Sequence, residues 1–127
     1  MPRNQFVRFL LLLAAAATFL VPIAAQQGSG TISGFITDAQ DASVQGARVE
    51  VQNIDTGAIF RTETGETGNY SAPGLPVGRY EVRAERQGFK RAVRTGITLQ
   101  VNQNALVSMV LQVGQLAETV EVKGEAA

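Results

Sequence analysis

The sequence predicts an all-β protein, a seven-stranded antiparallel β-sandwich. Short segments alternate apolar and polar residues with a period of two, which is typical of strands with one buried face. Glycine, proline, asparagine or aspartate separates each segment from the next, and residues 26–113 hold no helical pattern. Strands with one apolar face bury it by packing two sheets together, so a sandwich is the expected architecture.

The strands and their buried positions follow from the alternation. The segment Asn53–Gly57 is expected to form a tight turn between two strands, and Pro73–Gly78 a rigid corner. Strands are expected at residues 31–37, 47–52, 58–64, 70–72, 79–86, 91–101 and 103–113. The residues expected in the core are Ile32, Ile36, Val49, Val51, Tyr80, Val82, Val107, Met109 and Leu111.

A leader precedes the predicted sandwich. Arg3 and Arg8 are followed by the apolar run Phe9–Val21 and then by small residues up to Ala25, the pattern of a secretory signal-peptide helix. The run is shorter than the ~20 residues that a membrane-spanning helix needs. We therefore expect cleavage after Ala25 and an exported protein that does not span the membrane within this chain.

Composition limits the function classes. Residues 26–127 keep all 11 acidic residues and lose only Arg3 and Arg8 of the 11 basic ones, which leaves a net charge of −2. That balance does not favour nucleic acid or an anionic membrane as a partner. The chain contains no cysteine and no histidine, so it lacks disulfides, the residues of most nucleophilic triads and the usual zinc ligands.

Neither catalysis nor metal binding is expected of the acidic residues. Glu50 and Glu63 take the solvent-facing positions of their strands, and Asp38, Asp41, Asp55 and Glu66 lie in turns. Counted from Asp38 as a calcium loop, the sixth position is Ser43 and the twelfth is Val49, where the motif requires glycine and glutamate. We expect no catalytic residue, no metal ligand and no cofactor.

Three aromatic residues are the candidates for ligand contact. Tyr70 and Tyr80 fall on core or corner positions, where a ring buries apolar area and its hydroxyl bonds a backbone group. Phe35 lies on the opposite side of its strand from Ile32 and Ile36. An exposed coplanar pair among these three rings would favour carbohydrate or peptide binding, whereas burial would favour a structural role.

The ordered motifs resemble a known family, the carboxypeptidase regulatory-like domain. They span residues 30–113 and are Gly30–Asp38, Val44–Asn53, Thr56–Gly57, Gly68–Tyr70, Leu75–Tyr80 and Gly88–Phe89. The resemblance implies a transthyretin-like, seven-stranded sandwich that acts as a non-catalytic accessory module. The sequence departs from the family pattern in the first loop, because residues 43–45 lack its usual glycine and proline.

The arrangement along the chain is similar to the amino terminus of Oar-like TonB-dependent outer-membrane receptors. A signal peptide (residues 1–25) and a sandwich (26–113) are followed by a predicted linker (114–127). Within the linker, residues Glu118, Thr119, Val120, Glu121 and Val122 resemble a TonB box, and an extended segment of this kind can add a strand to a partner's sheet. The same residues also fit a last strand of the sandwich.

The leading hypothesis is therefore a non-catalytic interaction module of an exported receptor-like protein at the periplasm, outer membrane or cell surface. Its expected partner is the periplasmic protein TonB or a neighbouring receptor domain. The alternative hypothesis is a free-standing sandwich that binds carbohydrate or peptide at the cell envelope.

Overall fold

The computed structural model describes residues 28–123, so the predicted signal peptide lies outside the described part. Within that range no helix is long and apolar enough to cross a membrane. The described residues form nine strands: β1 (Ser29–Asp38), β2 (Arg48–Asn53), β3 (Ile59–Glu63), β4 (Asn69–Pro76), β5 (Gly78–Glu85), β6 (Arg91–Leu99), β7 (Asn104–Leu106), β8 (Met109–Leu111) and β9 (Thr119–Lys123).

The strands form two sheets. In the four-stranded sheet β1 lies in the middle, with β4 on one side and the short strands β7 and β8 end to end on the other. The five-stranded sheet has the order β3-β2-β5-β6-β9. The predicted all-β sandwich is confirmed.

The core lies between the sheets and consists of the inward residues of alternating strands. All nine residues that the alternation placed in the core are buried, and Ile32, Ile36, Val49, Val82, Val107 and Leu111 are fully inaccessible. Along the chain the buried cluster ends at Leu111. The alternation therefore correctly predicted, for every strand that carries these residues, which side faces the core.

The structure differs from the expected pattern in strand number and direction. Residues 103–113, predicted as one strand, form two, because the chain between β7 and β8 turns inward at Val107. The predicted linker supplies β9, and the strand expected at residues 70–72 extends to Pro76. The pairings of β1 with β7 and β8, and of β6 with β9, are parallel, so the sandwich is mixed and not wholly antiparallel.

A close approach at Gly34 explains the break between β7 and β8. A Cβ atom built on Gly34 would overlap the carbonyl group of Val107, so only glycine allows this approach. The Val107 N–H donates to the Ser33 carbonyl at 2.7 Å. The chain at Val107 thus lies against β1 and directs its side chain into the core.

The predicted turn after β2 is confirmed, and the side chain of Asn53 organises it. The buried Asn53 Oδ1 accepts hydrogen bonds from the N–H groups of Asp55 at 2.9 Å and Thr56 at 3.0 Å. Gly57 follows with a φ of 78°, a left-handed conformation that glycine adopts without steric cost. The turn sets the antiparallel register of β2 with β3.

A buried threonine fastens the loop before β2 to the end of β3. The Thr64 Oγ1 donates to the Val44 carbonyl at 2.6 Å and accepts from the Ala47 N–H at 2.9 Å. The Thr64 side chain is among the few buried polar groups of the described chain, and both of its bonds satisfy backbone groups.

Replacing Thr64 with valine should lower the free energy of unfolding by about 2–4 kcal/mol, because an isosteric methyl group leaves a buried N–H and a buried carbonyl unsatisfied. Urea denaturation would measure the loss, with Thr98→Val on the exposed side of β6 as the matched control. Equal denaturation midpoints for the two variants would contradict this account of the loop.

Replacing Val51 with aspartate should cost several kcal/mol, about 3 or more, because it buries an unpaired carboxylate. Gln52→Asp is the matched control, since it places the same group on the outer face next to Arg83. Thermal unfolding followed by circular dichroism would measure both variants. If Val51→Asp melts at the temperature of the parent protein, the assigned strand phase is incorrect.

Candidate partner-binding site

The segment Glu118–Val122 lies at the edge of the five-stranded sheet. Thr119–Lys123 forms β9, which runs parallel to β6 with Arg91 opposite Thr119 and Thr95 opposite Lys123. One edge of β9 pairs with β6, and as the last strand in the sheet order it leaves its other edge open. An open edge presents backbone donors and acceptors that another extended strand can pair with.

Glu118 anchors the start of β9. Its carbonyl accepts a hydrogen bond from the Arg91 N–H at 2.8 Å, and its carboxylate pairs with the Lys90 ammonium group at 3.2 Å. The ion pair is partly exposed, with 54% of the Glu118 side chain accessible, so it contributes little to stability. Backbone hydrogen bonds are therefore the main attachment of the segment.

The side chains of β9 are poorly buried. Val120 is half-buried, Val122 is 51% exposed, and Thr119, Glu121 and Lys123 are exposed. Since none of them belongs to the buried cluster, the sandwich core is complete without β9. The strand is an addition to the sheet and not one of its packing elements.

A groove of about 290 Å³ separates β9 from β8. Val120 and Val122 face it because they lie opposite Ala92 and Arg94, which are on the inward side of β6. Met109 and Val110 form part of the opposite wall. The Arg94 guanidinium donates to the Ser108 carbonyl at 3.0 Å and so spans the groove towards the four-stranded sheet.

Tyr70 and Tyr80 are buried, with 3% and 2% of their surfaces accessible. The Tyr70 hydroxyl donates to the Val107 carbonyl at 2.5 Å, and the Tyr80 hydroxyl donates to the Pro76 carbonyl at 2.6 Å. Both residues therefore hold backbone, as the structural interpretation of their positions expects. Phe35 is 49% exposed and is the one ring of the three that a ligand can reach. Because both tyrosines are buried, the three rings do not form an exposed coplanar pair.

A second groove, which the sequence did not indicate, lies at the opposite flank between β3 and the corner joining β4 and β5. It encloses about 330 Å³ and is lined mainly by apolar groups, including Phe60, Leu75 and Val77. The Arg79 guanidinium bonds the Asp55 carboxylate at 2.5 Å near its rim. Asp55 and Arg79 are 24 positions apart, so no local pattern in the sequence indicated that these two residues would form an ion pair.

The acidic residues behave as solvated or ion-paired groups. Glu50 pairs with Arg61 at 3.6 Å and with Arg83 at 3.8 Å on the outer face of the five-stranded sheet. Asp38 accepts from the N–H groups of Gln40 and Ala42 and so shapes the first loop. Among residues 28–123, no group of three acidic residues lies close enough to hold a metal ion.

The bond from Arg79 lowers the pKa of Asp55 below its usual range, and the same bond raises the pKa of Arg79. A carboxylic acid that donates a proton near neutral pH requires the opposite shift. Asp55 is therefore a solvent-exposed partner in an ion pair, not a candidate general acid.

Comparison with known proteins decides the family. The profile of the carboxypeptidase regulatory-like domain matches residues 31–112, well over half of the chain. The chain belongs to the carboxypeptidase regulatory-like domain family. The match begins within β1, runs past the end of β8, includes the whole buried cluster and ends before β9 begins.

A curated relative of the chain is the TonB-dependent transporter Oar of Myxococcus xanthus. It is 34% identical over 118 residues, an alignment that covers 88% of this chain and 11% of that protein. The chain thus spans about one ninth of the length of this relative. The domain in this chain is therefore similar to one part of a much longer transporter.

Solved structures share the fold at low identity. The TIE protein of Bacillus anthracis superposes with a TM-score of 0.58 at 19% identity, over 68% of this chain and 17% of that one. Hydroxyquinol 1,2-dioxygenase from Pseudomonas putida DLL-E4 superposes with a TM-score of 0.56 at 10% identity, over 70% and 58%. At these identities the likeness shows the sandwich fold of the regulatory-like domain and nothing of its activity.

The Tyr70 hydroxyl makes stability depend on alkaline pH. Burial raises the pKa of Tyr70 above its usual range, and the nearby Arg94 charge opposes this only in part. An unfolded tyrosine ionises near pH 10, so above that pH unfolding releases a proton that the folded state retains. Stability is therefore fully present below about pH 10 and declines as the pH rises, by up to about 1.4 kcal/mol per pH unit.

Tyr70→Phe should cost about 1–2 kcal/mol at neutral pH, because the Val107 carbonyl loses its donor. It should also remove the Tyr70 part of the decline above pH 10. Urea denaturation of parent and variant at pH 7, 10 and 11 would measure both effects. Parallel stability curves for the two proteins across this range would contradict the assigned role of the hydroxyl.

Proposed function

We propose that the chain is a non-catalytic accessory module at the cell envelope whose β9 segment binds a partner by strand addition. The observation that carries the proposal is the position of β9, which lies outside both the family match and the buried core yet is already extended at a sheet edge. An ordered strand with one open edge pays little further conformational entropy when a partner strand pairs with it.

The partner proposed is the periplasmic domain of TonB. Support comes from the similarity to a TonB-dependent transporter and from the resemblance of residues Glu118–Val122 to a TonB box. Export to the periplasm or the outer membrane is part of the same proposal, since TonB is reached from the periplasmic side. A neighbouring domain of a longer receptor is the other partner consistent with an open edge.

The absence of catalysis is also proposed. The sequence offers no histidine or cysteine, the described acids lie in ion pairs, in turns or at exposed strand positions, and the pKa of Asp55 is shifted away from the direction that acid catalysis needs. The alternative hypothesis of a free-standing carbohydrate- or peptide-binding sandwich loses Tyr70 and Tyr80 as contacts, because both are buried, and keeps Phe35.

Titration against the periplasmic domain of TonB should show binding that Val122→Asp weakens by about tenfold or more, because a carboxylate then lies beside the pairing strand. Val113→Asp is the matched control, since Val113 is 78% exposed and lies outside the segment. Removal of residues 115–127 should abolish binding while circular dichroism shows the sandwich intact. Binding that survives the truncation would assign the interaction to another surface, and no binding by the parent chain would refute the proposed partner.

A further inference from the structure

The outer faces of the two sheets differ in charge. The outer face of the five-stranded sheet carries interstrand ion pairs, such as Glu50 with Arg83 and Glu85 with Arg91. The outer face of the four-stranded sheet, called the neutral face below, has no charged side chain at its outward positions, of which nine central ones carry the argument. These positions, assigned from strand register and alternation, are Thr31, Ser33, Phe35, Thr37, Asn69, Ser71, Asn104, Leu106 and Val110.

The neutral face can be covered at low electrostatic cost. Covering a charged face removes hydration from each ion, which is expensive unless every charge finds a partner. Hydroxyl and amide groups need only replacement hydrogen bonds, and an apolar group gains from losing water. The neutral face is therefore the broad sheet surface of this molecule that is best suited to contact an uncharged partner.

Phe35 lies near the centre of the neutral face and is accessible. It is on β1, the middle strand of the sheet, directly opposite Asn69 of β4, and half of its surface is exposed. Its backbone N–H donates to the Ser108 Oγ at 3.1 Å. A phenyl ring in this position offers a flat apolar surface to a partner.

The polar groups beside Phe35 are held in place and retain capacity for further bonds. The Ser33 Oγ donates to the Asn104 Oδ1 at 2.8 Å across β1 and β7. Each hydroxyl oxygen has two acceptor sites, and the side-chain amide of Asn104 carries two N–H donors. Ser71 lies opposite Ser33 on β4, so a row of hydroxyl and amide groups crosses three strands.

The chemistry of the face distinguishes among partners. Nucleic acids and anionic membranes require basic residues, which the nine positions lack. Protein interfaces are enriched in aromatic residues, methionine and arginine and depleted in serine, whereas Phe35 is the single residue of an enriched type among these nine and six are serine, threonine or asparagine. Uncharged sugars present hydroxyl groups for such side chains and C–H surfaces that stack on an aromatic ring.

We propose that the neutral face binds an uncharged polysaccharide, with the Phe35 ring stacked on one sugar and Ser33, Ser71 and Asn104 bonding its hydroxyl groups. A polymer suits an open sheet face, because successive sugars contact successive strands and the separate weak contacts act together. This site is separate from β9, so it is independent of the proposed TonB interaction.

Affinity electrophoresis would test the proposal, with the chain run through gels containing dextran, laminarin or hydroxyethyl cellulose as neutral polymers and alginate as the charged one. We expect at least one neutral polymer to slow the parent chain and alginate not to slow it. Phe35→Ala should weaken this retardation by about tenfold, as loss of a stacking ring predicts. Ile54→Ala is the matched control, because Ile54 is 48% exposed on the turn after β2.

The outcomes separate the partners. Retardation by no neutral polymer, or equal retardation of parent and Phe35→Ala, would overturn the proposal. Sedimentation velocity of the same proteins adds a second readout, since a dimer that Phe35→Ala dissociates would assign the face to a second copy of the chain. Val122→Asp should leave polysaccharide retardation unchanged, so failure of the TonB interaction and failure of this proposal are distinguishable.

Discussion

The contact between Gly34 and the Val107 carbonyl is the constraint on which the four-stranded sheet depends. The carbonyl occupies the space where any other residue at position 34 would place its Cβ atom. Tyr70, directly opposite Gly34 on β4, reaches past β1 and donates its hydroxyl to this carbonyl. A buried backbone acceptor is thereby satisfied without a strand partner, which is what permits the chain to leave the sheet pattern at this point.

Two consequences follow on opposite sides of the sheet. On the inside, the Val107 side chain enters the core and becomes fully buried. On the outside, the interruption between β7 and β8 gives the Phe35 N–H a side-chain acceptor, the Ser108 Oγ, in place of a strand carbonyl. The backbone of Phe35 is thus held by the irregular segment between β7 and β8, and this bond helps to fix the position of Phe35 on the neutral face.

The sequence sufficed for features that depend on local pattern. Alternation placed Val49, Val51 and Val82 in the core because one residue's difference in phase would have exposed all of them. The Asn53–Gly57 turn was equally predictable, since the side chain that organises it and the glycine that ends it are both within five residues. The sequence also indicated that the hydroxyl groups of Tyr70 and Tyr80 would bond backbone groups. It did not indicate that the acceptors would be the Val107 and Pro76 carbonyls.

Features that depend on distant parts of the chain were not predictable. Residues 114–127 resembled a linker in which Glu118–Val122 also fitted a last strand, but the parallel pairing of β6 with β9 needs a connection whose path no local pattern specifies. The ion pair of Asp55 with Arg79 and the grooves at the two flanks arise from the same long-range geometry. The charge difference between the outer faces was present in the sequence, but it is visible only once the register assigns each residue to a face.

Two ways of binding a partner strand differ in whether β9 stays in the sheet. The edge position of β9 favours a partner strand that pairs with the open edge over one that binds β9 after β9 has detached from β6. Release would break the pairing with residues 91–95 and the Lys90 ion pair, and it would leave the inner edge of β6 without a partner. Addition to the open edge keeps these contacts and requires only that the alternating charges Glu121 and Lys123, which discourage unspecific edge pairing, meet complementary groups. Under the proposed strand addition, a partner strand with a basic residue opposite Glu121 and an acidic one opposite Lys123 would satisfy both charges, so the charge pattern of β9 would restrict which strands can pair with this edge.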